Sequence, residues 1–292
     1  MEKLLLAVII VFAFGTMAIA SDIAFYVGTV QPGLYDKKTM TNDVEKIIKD
    51  AGALFNDIQT FDDRDLDGLG RWADANMGDG HLDIIWLNGQ MPSTLYPTGN
   101  KAPNGSRAEE WLDDGNIVIA VQDWFAWANY ETGEKQRNTH LAAGFIMDLS
   151  HDIILQAPDA PMHKTAAGRQ YMPSVENGLL CNRPGYRGEV VDPWIAVGFA
   201  ATEGEQRVDA GDREGEMIPA GDLMDPVVFC NTETSGCVAT ISMNRPENIP
   251  QGVTYRGTII SEFINNWVFG GGHATSVEAA DKLAVTWGSI KG

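Results

Sequence analysis

Gln122-Asp123-Trp124 stands directly after the apolar run Ile-Val-Ile-Ala-Val at 117–121, with Trp127 and Tyr130 close behind. An amide, a carboxylate and an indole at one strand exit suit a polar organic ligand, a carbohydrate among others. The aromatic face packs on the ligand and the polar groups orient it. Asn88 and Gln90, in Asn88-Gly-Gln90 after another apolar run, offer two more amides at a second strand exit. Asn88, Gln90, Gln122, Asp123 and Trp124 are therefore the expected ligand site. His140 lies on the following segment. Paired with Asp123 it would make an acid–base couple, and the site would then be a hydrolase. A third reading is an extracellular structural or interaction module with no small-molecule site. It predicts a filled sheet edge.

Other spacings are weighed against plainer readings. Asp63, Asp65 and Asp67, followed by Gly68 and Asp74, have the alternate-carboxylate pattern of a calcium loop. The same acids suit the start of a helix, whose dipole favours negative charge. Leu66, Leu69 and Trp72 already fall on one helical face, and loop and helix exclude each other. The five histidines show no zinc spacing, and no Gly-x-Gly-x-x-Gly run follows the first strand. No cofactor and no metal is expected beyond that calcium candidate. Cys230 and Cys237 flank a turn-rich segment between two apolar runs, which predicts a hairpin with a cross-strand disulfide; two reduced, buried thiols are the alternative. Cys181 is left over and reads as a small apolar residue ending a strand, with nucleophile as the sharper alternative.

The elements that must position these residues follow from periodicity. Residues 22–28, 57–61, 81–89 and 116–121 read as strands. Between them lie amphipathic helices, the first capped by Thr41, the second starting near Asp62 or Asp63, the third capped by Ser106 with Glu109 three residues on. A further helix is predicted over 139–149. Alternating strands and helices, with strands apolar throughout, predict a three-layer α/β/α sandwich around a mostly parallel sheet. Beyond residue 150 come a strand at 194–202, the β-hairpin at 227–242 and a helix at 256–267. One α/β domain at 21–269 is expected, with a Gly-rich linker and short tail at 270–292. In open α/β sheets ligands bind at the carboxyl ends of the strands, where the five candidates stand.

Residues 1–20 run from Glu2-Lys3 through an apolar stretch to Ala18-Ile-Ala20, the layout of a secretory signal peptide cleaved before Ser21. A secreted or periplasmic protein is expected, with no membrane attachment after cleavage. The formal net charge is −19, and Glu2 and Lys3 cancel, so cleavage leaves it unchanged. Such a field repels polyanions and disfavours nucleic acid as a partner. The expected partner is a small polar ligand.

The first strand at 22–28, Asp83-Ile-Ile-Trp-Leu-Asn-Gly89 and the helix–strand unit at 108–121 together resemble the class I glutamine amidotransferase-like superfamily, of flavodoxin-like topology, including its secreted ThuA-like members. The resemblance covers residues 22 to about 150 closely and extends loosely to about 270. It implies that fold, with a Gly-x-Cys-x-Gly nucleophile elbow after the strand at 116–121. This chain has Val121-Gln-Asp-Trp124 there, so the resemblance carries the fold and not amidotransferase chemistry.

Overall fold

The computed structural model describes residues 21–31, 36–88, 90–102, 104–121, 124–157, 159–243 and 255–273. The expected signal segment, most of the tail, and the pair Gln122 and Asp123 lie outside the described residues.

The first half alternates as the periodicity predicts: β1 (Ser21–Tyr26), α1 (Lys37–Ala51), β2 (Phe55–Phe61), α2 (Leu66–Ala75), β3 (Ile84–Leu87), α3 (Arg107–Asp113) and β4 (Ile117–Val121). Then follow α4 (Ala142–Ile146), α5 (Ala166–Tyr171), β5 (Trp194–Gly198), β6 (Val227–Asn231), β7 (Cys237–Ile241) and α6 (Tyr255–Glu262), which continues as a π-helix over Phe263–Val268. The seven strands form one sheet in the order β5-β6-β7-β4-β3-β1-β2. The five from β7 to β2 run parallel, and β6 and β5 pair antiparallel at the far end. A smaller antiparallel sheet includes Ala160–Lys164 and Ala200–Thr202.

Strand side chains divide alternately between two cores. Ile23, Phe25, Ile84, Trp86, Ile117 and Ile119 face α1 and α6, through Val44, Ile47, Ile260 and Phe263. Ala24, Tyr26, Ile85, Leu87 and Val118 face α2, α3 and α4, through Leu69, Trp111 and Ala143. Burial on both faces explains why these strands read as unbroken apolar runs.

Several boundaries move for local reasons. α1 begins at Lys37, because Asp36 and not Thr41 caps it, accepting from the Thr39 amide at 2.8 Å. α2 starts at Leu66, with Asp65 accepting from the Gly68 amide. The Ser106–Glu109 capping box forms as expected. The helix predicted over 139–149 shrinks to Ala142–Ile146, and Gly144 sits against the backbone of His151, where a Cβ has no room. The strand predicted over 194–202 breaks at Phe199 into two pieces that join different sheets. The hairpin at 227–242 forms, with Cys230 and Cys237 opposite each other and disulfide-bonded. His273, the first residue of the expected tail, lies against the domain, its Nε2 3.0 Å from the Ser235 carbonyl oxygen.

Two polar devices hold this frame. The first runs along the amino-terminal edge of the sheet. The Asp57 amide donates to Asp22 at 2.9 Å, the Asp22 amide to Asp83 Oδ1 at 2.5 Å, and the Asp83 amide to Asn116 Oδ1 at 2.8 Å. The second ties α1 to α6. Arg256 donates to Asp43 Oδ2 through Nε at 2.9 Å and Nη2 at 2.6 Å, and the Gly257 amide donates to Oδ1 at 3.1 Å. Both side chains are buried, so the Asp43 charge has these donors in place of water.

Removing one partner of a buried ion pair strands the other. Arg256→Leu is expected to lower stability by about 3–5 kcal/mol, read as a shifted urea midpoint at unchanged slope. A loss under about 1 kcal/mol would mean that Asp43 is solvated and the clamp is not structural. Asp83 gives a pH-dependent test. Burial raises its carboxyl from the ordinary 3.8 to about 6. The fold therefore keeps a proton that the unfolded chain releases, and stability from this group falls as pH rises from about 4 through 6. Asp83→Asn keeps the acceptor for the Asp22 amide and removes the charge. It is expected to stabilise the protein by about 1–2 kcal/mol at pH 7.5 and by nearly nothing at pH 4.5. Equal effects at both pH values would assign the titration elsewhere.

Candidate functional site

The strand order places a topological switch at β1 and β3: the chain leaves β1 for β2 on one side and later returns to β3 on the other. The crevice outside the carboxyl ends at such a point is the usual ligand position in this architecture. β3 leads into Asn88 and Gln90 at this edge, and β4, beside it, leads towards Trp124.

Around the exits of β1 and β3 the polar groups are mostly engaged. Asn88 Nδ2 donates to the Gly28 carbonyl oxygen at 2.7 Å, bridging the two exits. Tyr26 Oη, the Thr29 amide and Thr29 Oγ1 all donate to Asp63. A short ribbon, Ala128–Asn129 paired with Gln136–Arg137, comes over this region. The Met91 amide donates to the Ala128 carbonyl oxygen, and Ser93 donates from its amide and hydroxyl to Glu131. Tyr130 Oη and Lys135 Nζ both donate to Gln31 Oε1. Gln90 differs from its neighbours. It is 2% exposed, and neither Oε1 nor Nε2 of its carboxamide has a hydrogen-bond partner among the described residues.

The aromatics read from sequence as ligand walls are largely covered. Lys135 Nζ stands 3.5 Å over the Trp127 ring, and Tyr130 is buried against Gln31. Trp124 is buried too, and its indole N–H donates to the Ile154 carbonyl oxygen. An open cleft of about 520 Å³ lies beside this region, between Val27, Thr60, Phe61, Asp62, Arg64 and Asp65. Within it Arg64 donates to Asp62 at 2.7 Å and holds that carboxyl down at about 2, and Asp65 accepts from the Gly68 amide.

Past β4 a second group assembles. The segment from Asp152 runs beside Ala210, through the Gln156–Ala210 bridge and the Asp209 amide on the Gln156 carbonyl oxygen at 2.8 Å. This brings Asp212 to Asp152. His140 joins them, so that one ligand-capable atom of each of the three lies within 4.8 Å of the others. Trp124 forms a wall, its ring 6.4 Å from that of His140 and its Nε1 3.4 Å from Asp152 Oδ1. The Arg183 guanidinium stands over the Trp124 ring, 5.0 Å from its centroid. Burial pushes the Asp152 carboxyl well up, and Asp212 adds repulsion. The Ile154 amide, Trp124 and Arg183 act against both.

Of the sequence candidates, the structure brings Asn88 and Gln90 to one strand exit and Trp124 to the neighbouring segment; Gln122 and Asp123 lie outside the described residues. His140 sits with Asp152 and Asp212. Those two were missed. Asp152 had one signal, a carboxylate directly before the apolar run Ile153-Ile-Leu155, and Asp212 stands in an acidic turn with nothing to single it out. The calcium candidates are not gathered: Asp65 caps α2, Asp63 accepts from Tyr26 and Thr29, Asp74 pairs with Arg107, and Asp67 lies in the first turn of α2. Cys181 is unpaired and buried, and burial beside Asp225 pushes its thiol well up. A thiol held protonated is a poor nucleophile.

No protein-family model matches the chain, and no curated protein matches it. Among solved structures, a protein of Bacteroides uniformis described as ThuA-like superposes with a TM-score of 0.43 at 8% identity, over 84% of this chain and 89% of that one. An overlap this loose carries no argument about what the chain does.

Proposed function

We propose that this chain is an extracytoplasmic three-layer α/β/α domain that binds a small polar ligand at the carboxyl edge of its sheet, near the exits of β1, β3 and β4. The observation that carries the reading is Gln90. A buried carboxamide without partners costs about 1–3 kcal/mol, and a bound ligand with a donor and an acceptor would repay it. Asn88, Gln122, Asp123 and Trp124 are the companions proposed for Gln90, and carbohydrate is the first ligand class to test because hydroxyls both donate and accept. The export reading draws support from the layout of residues 1–20 and from the Cys230–Cys237 disulfide. No helix among the described residues is long and apolar enough to cross a membrane. The alternative is a hydrolase in which Asp123 and His140 act as acid and base, and a pure interaction module remains a third reading.

Thermal-shift and calorimetric titration with neutral mono- and disaccharides tests the proposal. Gln90→Met, similar in volume and apolar, is expected to raise the stability of the unliganded protein by about 1–2 kcal/mol. It should weaken binding of any sugar that shifts the wild type at least tenfold. A variant that binds as tightly as wild type would move the site elsewhere. Hydrolysis that survives both Asp123→Asn and His140→Ala would remove the enzymatic alternative.

A further inference from the structure

We propose that His140, Asp152 and Asp212 form a binding site for one divalent first-row transition-metal ion, independent of the Gln90 reading. The three side chains come from separate segments of chain, yet offer one imidazole nitrogen and two carboxylate oxygens within 4.8 Å of one another. Small rotations would bring such atoms to the ligand distances of about 2.0–2.2 Å that zinc requires. One imidazole with two carboxylates is a mixed nitrogen–oxygen set. It suits zinc or manganese better than calcium, which takes six to eight oxygens.

A second, separate observation points to a ligand. Asp152 is fully buried, and its Oδ2 has no hydrogen-bond partner among the described residues, while Oδ1 accepts from the Ile154 amide at 3.0 Å. A buried carboxylate oxygen left without a donor is costly, and buried charges are ordinarily paired or bound to metal. The space beside that oxygen is kept by Gly211. Its φ is +109°, and a Cβ there would stand 3.2 Å from Asp152 Oδ2. Asp212, the next residue, is exposed. The site is therefore floored by a buried acid and open to solvent on the Asp212 side. Three protein ligands with an open side leave a position for water or a ligand, the pattern of catalytic rather than structural metal sites. Cys230, Cys237 and His273 also cluster. Their two sulfurs are bonded to each other, so this set serves as an internal control.

The test is calorimetric titration and equilibrium dialysis of the purified chain with Zn²⁺ at pH 7, alongside the visible absorption of Co²⁺ as a probe of coordination. Wild type should bind one equivalent and give Co²⁺ ligand-field bands. Asp152→Asn should weaken Zn²⁺ at least a hundredfold, His140→Ala and Asp212→Asn at least tenfold, and His273→Ala not at all. Zn²⁺ should raise the melting temperature of wild type and His273→Ala but not of Asp152→Asn. Without metal, Asp152→Asn should melt at or above the wild type, because the amide keeps an acceptor for the Ile154 N–H and has the same shape as the carboxyl. Three results would each overturn the proposal: no one-equivalent binding by wild type, an affinity that Asp152→Asn leaves unchanged, or an affinity that Asp212→Asn leaves unchanged. The second would mean that Asp152 is simply a buried neutral acid. Asp212 is exposed and its variant folds irrespective of the core, so unchanged affinity in Asp212→Asn would by itself exclude the three-ligand site.

Discussion

Three of the four parallel strands in the first half of this sheet, β1, β2 and β3, are pinned near their starts by a side chain from a neighbouring strand or its lead-in. Asp22 opposes two residues of β2, since Ser21 pairs with Phe55 and Ile23 with Ile58. The extra residue leaves an amide outside the ladder, at Asp57, and the Asp22 carboxylate takes it. Asp83 then takes the Asp22 amide, and Asn116 takes the Asp83 amide. The relay ends in backbone: the Cys237 amide donates to the Asn116 carbonyl oxygen at 3.0 Å and starts β7. A slip of one residue would exchange the two core faces of a strand, and would also break this chain of donors and acceptors. Register is thus set twice, by apolar packing and by the edge.

A fixed amino-terminal edge frees the opposite one. At that edge Tyr26, Leu87 and Ala120 stand side by side, so β1, β3 and β4 end within a residue of one another. Loops there can carry groups that do not help the fold. Two kinds are present. Near β1 and β3, Ser93 with Glu131 and Gln31 with Tyr130 draw the ribbon at 128–137 down, and Asp63 accepts from Tyr26 and Thr29. Beyond β4, the segments carrying Asp152 and Asp212 are held by backbone bridges, and their carboxylates add the Ile154 amide on Asp152 Oδ1 and a long 3.5 Å contact from the Asp152 amide to Asp212 Oδ2.

Legibility in the sequence followed the range of the interaction. β1, β3, β4, the Ser106 cap and the disulfide hairpin were readable because each rests on neighbours within a few residues. The insertion of β7 beside β4 was not. It depends on the turn at 232–236 docking on the end of α3, where Thr234 Oγ1 donates to the Leu112 carbonyl oxygen at 3.0 Å and Gly236 lies too close to Leu112 for a side chain. No periodicity announces a contact across more than a hundred residues. Asp36 displaced Thr41 as a cap because both types cap well and only the chain's path selects one. In the site, Asn88 and Gln90 were legible as amides after a strand. Asp152 was not, since its meaning comes from Asp212 and His140, each on a different segment.

Unpartnered buried carboxylate oxygens occur at both edges of the sheet, and their positions give them different meanings. Asp83 leaves Oδ2 without a partner, but its Oδ1 and its amide are two links of the relay. The strain of burying that acid is tied to register, and an amide side chain would do the same work. Asp152 also leaves Oδ2 bare, yet its Oδ1 serves only its own turn at Ile154 and a long contact to Trp124. An asparagine, which keeps an acceptor for the Ile154 amide, would fold that turn as well. A buried acid with so little structural work, facing a histidine and a second acid, has no account in stability alone. It calls for something that binds there.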